Sequence, residues 1–302
     1  MKYKVHYPYI TFTIQSPISI EDFLNQFHLS KKTIHLLKQN KDYHVNNHFV
    51  SLSTILLKND KLTIKAFSKD DGMYPPIFQD LDIIYEDDIL LIVNKPAFIQ
   101  VFPDHQEKTD SLSNIVSGYY HQMGYNIPVR FIHRLDYETS GLIIFCKCAL
   151  MQPLLDYQLS QKDIKRDYLA IVNGTITHKK VYHIDKPIGR DRHHNQKMII
   201  SQKGKEAHSE YQCLISKNNL SLIKCSLHSG RKHQIRVHMS SVGYPLIGDK
   251  LYGQASSLIS RQALHAYQLT FVHPLTQEQI CLTCPPPTDI LNIIESLKEP
   301  RN

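Results

Sequence analysis

No run of apolar residues in this chain is long enough to cross a bilayer, and the first residues, MKYKVHYPYITF, lack the apolar core of a signal peptide. The expected setting is the cytoplasm. Cysteine is scarce, with six in 302 residues, and in a reducing compartment such thiols stay free. Cys281 and Cys284 form one CxxC, but no second one exists to complete a four-ligand zinc site. Residues 279–284 also read as a strand, which would send these two side chains to opposite faces. Cys146 and Cys148 flank Lys147 and would share one face of another strand. Buried free thiols, without metal, are the expectation throughout. Repeats of solenoid period and low-complexity tracts are also missing.

What remains is an ordinary globular composition. Apolar residues make up 42% and charged residues 21%, which suits one large domain and one small one. Formal charge is +7, from 35 Lys and Arg against 28 acids, and 18 histidines would add to it in an acidic field. The excess favours a polyanionic partner, although basicity alone does not require one.

The first unit runs from about residue 19 to residue 67. Ser19 stands three residues before Asp22, a capping-box-like start for a short helix carrying Phe23, Leu24 and Phe27. Ser30 is placed to cap a second helix, whose stripe of Ile34 and Leu37 lies beside Lys31, Lys32, His35 and Lys38. Strand signals follow at residues 43–45 and 61–66, with Asn46-Asn47 as the turn between them. Helix, basic helix and small hairpin resemble the alpha-L RNA-binding fold found in a small-subunit ribosomal protein and in many RNA-modifying enzymes. Two positions depart from that pattern. The turn reads Val-Asn-Asn where Val-Asn-Gly is usual, and Asn59 replaces the usual glycine before Asp60. The bland alternative is an accessory domain whose basic helix merely faces water. If the unit docks on RNA, Lys31, Lys32 and Lys38 are its contacts.

Residues 68–76, SKDDGMYPP, are polar, with Gly72 and two prolines, and read as a linker. The expected division is residues 1–72 and 77–302. Beyond the linker, strand-like runs recur at 89–93, 141–146, 168–172, 220–226 and 269–272. Helical stretches fall between, at 110–119, 150–158 and 234–241. Their irregular alternation predicts an α+β fold with a mixed, mainly antiparallel sheet rather than a doubly wound parallel one.

The sharpest segment is 131–147, FIHRLDYETSGLIIFCK. A turn-rich polar run leads directly into a buried strand, so Asp136 stands on a loop beside a rigid element, where functional carboxylates tend to sit. His133, Arg134 and Thr139 are its nearest candidates for holding the carboxylate ionised. Taken alone, an Arg-x-Asp is more often a structural ion pair than an active site.

The segment closely resembles the HRLDxxTSGLLLxAK signature of the RluA/RluD family of pseudouridine synthases. Other motifs of that family follow in order. Asn94-Lys95-Pro96 matches its NKP element, and residues 166–174, RDYLAIVNG, match [KR]xYxAxVxG. Residues 204–211, GKEAHSEY, resemble GKxAxTxY, with Ser209 in place of threonine. Residues 230–239, GRKHQIRVHM, with Gly248-Asp249 and Tyr252-Gly253, match GRxHQIRVHM…GDxxYG, and residues 264–274, LHAYQLTFVHP, match LHAxxLxFxHP. The resemblance covers roughly residues 80 to 290.

It implies isomerisation of uridine in a structured RNA, ribosomal RNA ahead of transfer RNA, by a monomer that touches no membrane. The reaction breaks C1′–N1, turns the uracil and joins C1′ to C5, so no redox cofactor, metal or nucleotide is required. An ionised carboxylate serves either as nucleophile at C1′ or as base on the 2′ side of a glycal route. By resemblance, Asp136 is that carboxylate, Arg236 the guanidinium beside it, and Tyr168 the ring stacked on uracil, whose hydroxyl helps remove the C5 proton. Arg134 would fill the gap left by the extruded base, since base rotation cannot occur inside a stack. Arg190, from the basic run 190–205, together with Arg231 and His133, completes the expected RNA contacts.

Each residue has a plainer reading. A strand tyrosine is commonly an edge aromatic, and Arg236 outside its motif would pass for a surface cation. His228, His233 and His238 recur at five-residue spacing, which neither helix nor strand aligns into a metal site. Two other functions compete. A glycosidase would need a second carboxylate motif, and Glu138 alone does not supply one. A silent RNA-binding protein would not need Asp136, Tyr168 and Arg236 together.

Overall fold

The structure, a computed structural model, describes residues 2–103 and 110–298. In the first unit, β1 (Lys2–His6) and β2 (Tyr9–Thr13) form a hairpin. Then come β3 (Ile18–Ser19), α1 (Ile20–Asn25), α2 (Lys31–Gln39), β4 (Tyr43–Val45), β5 (Ile55–Leu56) and β6 (Lys61–Lys65). Four strands make a sheet in the order β1-β2-β6-β4, and β3 pairs with β5. The helices begin where the capping serines predict. The Asp22 amide donates to Ser19 Oγ at 3.0 Å and the Thr33 amide to Ser30 Oγ at 3.1 Å. Phe12 of β2 meets Phe23 and Phe27 from α1 and its end, with ring centroids 5.1 and 5.7 Å apart.

The expected hairpin from residue 45 to residue 61 needs correction. Asn46-Asn47 does make a tight turn, but it returns the chain only to His48, whose carbonyl accepts from the Val45 amide at 2.8 Å. The chain then passes through β5 before β6 pairs with β4. Asn46, Asn47 and Asn59 have φ of 47°, 70° and 76°. These are left-handed conformations, which glycine favours and asparagine tolerates. At both departures from the alpha-L pattern the backbone thus keeps a shape suited to glycine.

The second sheet has nine strands. Its elements are β7 (Ile83–Glu86), β8 (Leu90–Lys95), α3 (Leu112–Gln122), β9 (Ser140–Cys146), α4 (Gln152–Ser160), β10 (Lys165–Asn173), β11 (Val181–Asp185), β12 (Ile188–Arg190) and β13 (Met198–Ile200). After them come β14 (His208–Lys217), β15 (Leu220–Leu227), α5 (Gln234–Ser241), β16 (Leu264–Val272), β17 (Gln279–Thr283) and α6 (Thr288–Lys298). The order is β11-β14-β15-β10-β16-β9-β8-β7, with β17 on β16, while β12 and β13 pair apart. Only β16 and β9 run parallel among these pairings. The sheet is mixed and mainly antiparallel, as the pattern predicted. Where β9 meets β16 the backbones touch: a Cβ on Gly141 would lie 2.2 Å from the Ala266 carbonyl oxygen, so only glycine fits.

Residues 68–76 form no helix or strand, yet they are pinned to the large sheet's side of the molecule. Asn114 Nδ2 donates to the Pro75 carbonyl at 2.8 Å, and the Asp70 amide to Asn126 at 3.3 Å. One buried apolar cluster runs from Ile10 and Phe12 through Ala66 and Phe67 to Met151 and Leu155. His28 stacks on Tyr157 of α4 with centroids 3.6 Å apart. A second cluster, holding Leu135, Tyr168, Ile235 and Ala266, lies beneath the cleft described next. Cys281 is exposed and Cys284 buried, on opposite faces as expected for a strand, while Cys146 and Cys148 are both buried. Among the described residues, no helix is long and apolar enough to cross a membrane.

Candidate active site

Asp136 occupies the loop before β9, at the wall of an open cleft of ≈ 1360 Å³. Its loop is held from behind. The Thr139 amide donates to the Asp136 carbonyl at 3.0 Å, closing a turn, and the Phe98 amide donates to the Tyr137 carbonyl at 2.8 Å. Arg261 Nη1 donates to the Glu138 carbonyl at 2.8 Å. Lys95 is fully buried at the end of β8, where its ammonium donates to the carbonyls of Pro96, Ile99 and Tyr137 at 2.8, 2.9 and 3.2 Å. Burial pulls the Lys95 pKa down to about 7, opposed by the nearby Asp136 carboxylate.

Across the cleft, α5 begins at His233, a left-handed residue with φ 57°, and carries Arg236 one turn in. Arg236 Nη1 lies 3.4 Å from Asp136 Oδ2. The other edge of the guanidinium is taken up by Asp249, with Nε–Oδ2 at 2.7 Å and Nη2–Oδ1 at 2.9 Å. Asp249 is completely buried and also accepts from the amides of Leu251 and Tyr252. Burial would lower the Arg236 pKa, but the hydrogen bonds and charge of Asp249, then the charge of Asp136, hold it above its ordinary value. Arg236 is thus a fixed cation that points one N–H at Asp136 (a bidentate grip that lysine cannot reproduce). Tyr252 closes the arrangement. Its ring lies 5.1 Å from the guanidinium carbon, and its hydroxyl bonds His233 Nδ1 at 2.9 Å.

Tyr168 comes from β10, 4% exposed, and lines the same cleft. Burial raises its pKa, Arg166 lowers it somewhat, and Asp136 and Asp167 raise it further, so it is a neutral phenol at ordinary pH. Three residues picked from sequence motifs, Asp136, Tyr168 and Arg236, therefore meet at one place.

The other candidates divide. His133, Arg134 and Arg231 line the cleft, whereas Arg190, Lys31, Lys32 and Lys38 are exposed elsewhere. Arg134 does not pair with Asp136, and its guanidinium carbon lies 5.5 Å from the centre of the Phe102 ring. His133 is 5% exposed, and burial, then the charge of Arg166, lowers its pKa to about 3. It is neutral and supplies no charge to hold Asp136 ionised, contrary to expectation. His228, His233 and His238 go to three separate partners, Glu210, Tyr252 and Ser209.

Sequence reasoning assigned no role to Asp249, Tyr252, Lys95 or Arg261. A signal existed for two of them. A lysine closing the apolar run LLIVNK and an aspartate inside PLIGDKLYG are charges that burial makes costly unless something pairs them.

The chain matches the family model described as RNA pseudouridylate synthase over residues 89–241, and that of the RluD ribosomal pseudouridine synthase N-terminal domain over residues 10–62. It is 40% identical over 266 residues to the Uncharacterized RNA pseudouridine synthase YhcT of Bacillus subtilis (strain 168), covering 87% of this chain and 88% of that one. It is 37% identical over 251 residues to the Ribosomal large subunit pseudouridine synthase D of Neisseria meningitidis, covering 79% of this chain and 66% of that one. A solved structure of Human RNA Pseudouridylate Synthase Domain Containing 4 shares the fold, with TM-score 0.58 and 23% identity over 73% of this chain and 94% of that one. The chain belongs to the RNA pseudouridylate synthase family, in its RluA/RluD branch, and is an isomerase acting on RNA.

Proposed function

We propose that this RNA pseudouridine synthase isomerises specific uridines of large-subunit ribosomal RNA, as a cytoplasmic monomer, with Asp136 as the carboxylate that reacts at the sugar. The observation that carries this reading is the Asp136–Arg236–Asp249 chain in the wall of the cleft. Arg236 keeps a positive charge 3.4 Å from Asp136 and orients the side chain that either route at C1′ uses. Tyr168, neutral and set in a packed strand, offers uracil a ring face and a hydroxyl rather than a phenolate base. The C1′–N1 bond breaks, C1′–C5 forms, C5 loses its proton and N1 gains one. Overall composition is unchanged. Ribosomal RNA is favoured because relatives such as the Neisseria protein are named for the large ribosomal subunit. Arg134, Arg231 and neutral His133 serve the cleft, and Arg190 a more distant phosphate. Residues 1–72 act as an RNA-docking domain through Lys31, Lys32 and Lys38, and residues 77–302 as the catalytic domain.

The test is a map of pseudouridines in total RNA from cells with and without the gene, complemented by wild type or Asp136→Asn. Wild type restores the lost sites and Asp136→Asn restores none, while the purified variant keeps its thermal midpoint. Sites restored by Asp136→Asn would remove that residue from the chemistry.

A further inference from the structure

Among the described residues three arginines are buried: Arg166, Arg236 and Arg261, at 7%, 7% and 1% exposure. Two have a carboxylate across the fork of the guanidinium. Asp249 takes Arg236, and Asp289 takes Arg261 with bonds of 2.7 and 2.9 Å. Arg166 makes no ion pair among the described residues. Its guanidinium donates from Nη2 to the Ser229 carbonyl at 3.3 Å, and Nε finds no partner among the described residues. The neighbouring carboxylate does not help, since Asp167 sits on the other face of β10 and pairs with Lys224 at 2.7 Å. His133, whose protonation Arg166 opposes, is neutral and brings no anion. A buried cation without a counter-charge is costly. The cost makes sense where the counter-charge arrives with the substrate.

Its location supports that. Arg166 and Tyr168 share the buried face of β10 and line the cleft that holds Asp136. Two residues of strand separate them by about 6.6 Å, within the reach of one nucleotide. Beside Arg166 stands Gly230, where a Cβ would lie 3.1 Å from Nη1. A side chain at that position would crowd the guanidinium, and glycine leaves that space beside Nη1 free.

We infer that Arg166 binds a phosphodiester of the extruded nucleotide, so that the substrate supplies the anion which the folded protein lacks. This deepens the proposed function and rests on the cleft at Asp136 being where the uridine reacts. A guanidinium is suited to the task, because two of its N–H groups reach two phosphate oxygens at once. Held at that phosphate, the ribose is anchored at one end while the uracil is free to turn against Tyr168.

The full-length enzyme is assayed in single turnover on a synthetic stem-loop RNA spanning a uridine found by the mapping experiment. Neutral methylphosphonate replaces the phosphate on the 5′ or the 3′ side of that uridine. One of the two replacements should slow the wild-type enzyme about tenfold or more, the worth of a charge-assisted hydrogen bond. Arg166→Gln should show a similar loss on native RNA and less than about a further twofold on the neutral RNA, the non-additivity of two groups that touch. Arg166→Lys should recover part of the rate. Losses that multiply, or two neutral linkages without effect, overturn the assignment. Stability supplies an independent reading: Arg166→Gln should keep or raise the thermal midpoint, whereas Arg261→Gln should lower it. A lowered midpoint in Arg166→Gln would make Arg166 a structural residue. Asp136→Asn, run in parallel, should bind the native RNA more tightly than the neutral one while failing to convert it. If it converts the RNA while Arg166 and the phosphate still couple, the reading of Asp136 fails and the phosphate contact stands.

Discussion

At the scale of single residues, the cleft is organised by pairs in which one member is hidden. Asp136 is a quarter exposed, with 26% of its side chain open, while Asp249 behind it is fully buried. The buried member determines where the guanidinium of Arg236 points. Asp249→Asn keeps the shape but leaves Arg236 without its charge partner, and breaking a buried pair in this way costs about 3–5 kcal/mol. The expected outcome is a lower thermal midpoint together with slower turnover, seen in a melt and a single-turnover assay. Unchanged stability would mean that water replaces the carboxylate freely. Arg236→Lys, which retains charge but not the fork, should slow turnover strongly while leaving RNA affinity nearly intact. If affinity and turnover fall together, Arg236 binds phosphate instead.

At the scale of elements, the amino-terminal unit shows how a departure in sequence can leave geometry unchanged. Asn59 at φ 76° carries the small penalty of a left-handed residue that can bond locally. Asn59→Ala should cost about 1–2 kcal/mol, and Asn59→Gly should be close to neutral, both measured by urea unfolding. Equal losses in the two would show that the side chain, not the backbone, matters at that turn. The same unit shares a buried cluster with α4 through Ala66, Phe67, Met151 and Leu155. Cutting the chain near Gly72 would strip that surface, so charge removal is the cleaner probe of docking. Lys31, Lys32 and Lys38 project from α2, whose buried side is Ile34 and Leu37. Replacing all three by Gln should weaken binding to large RNA and flatten its salt dependence, by about 0.9 in log–log slope for each phosphate that is no longer neutralised. An unchanged slope would assign α2 to packing alone.

At the scale of the whole molecule, His133 and His265 are buried and His233 half-buried, all three as neutral rings. Burial lowers His133 to about 3, and His233 and His265 to about 4. Each lies below the unfolded value near 6.5. Their contribution to stability is therefore complete above pH 6.5 and lost as pH falls towards the folded values, because the unfolded chain takes up protons that the native state refuses. Asp87 is also shifted. Its burial would raise its pKa, but hydrogen bonds from His273, Tyr85 and two backbone amides hold it at about 2, so its effect begins only near pH 4 and below. Between pH 6.5 and 5 the histidines act alone among these groups. The unfolding free energy from urea titrations should fall over that interval, by up to about 1.4 kcal/mol per pH unit for each fully effective ring, and the urea midpoint with it. A midpoint that stays level from pH 7 to pH 5 would contradict the burial of these rings.

The local features were legible in the amino-acid order because they depend on near neighbours. Ser19 and Ser30 cap helices three residues on, α5 spans the residues its pattern marked, and Asp136 precedes a strand that its apolar run announces. Other elements escaped that reading. In β1 the strand alternates between exposed and half-buried residues, and β11 buries only Ile184, so both carry little apolar signal. The motifs named Asp136, Tyr168 and Arg236, but only the tertiary structure brings them together: β9, β16 and β10 lie side by side, and α5 sets Arg236 against Asp136, 100 positions away. Which arginine is paired and which is not is settled at that level too. Arg166, Arg236 and Arg261 are the same side chain in the sequence, and burial with or without a facing carboxylate is a property of distant chain segments. The sequence determined what each residue could do locally; long-range packing decided where each charge was left.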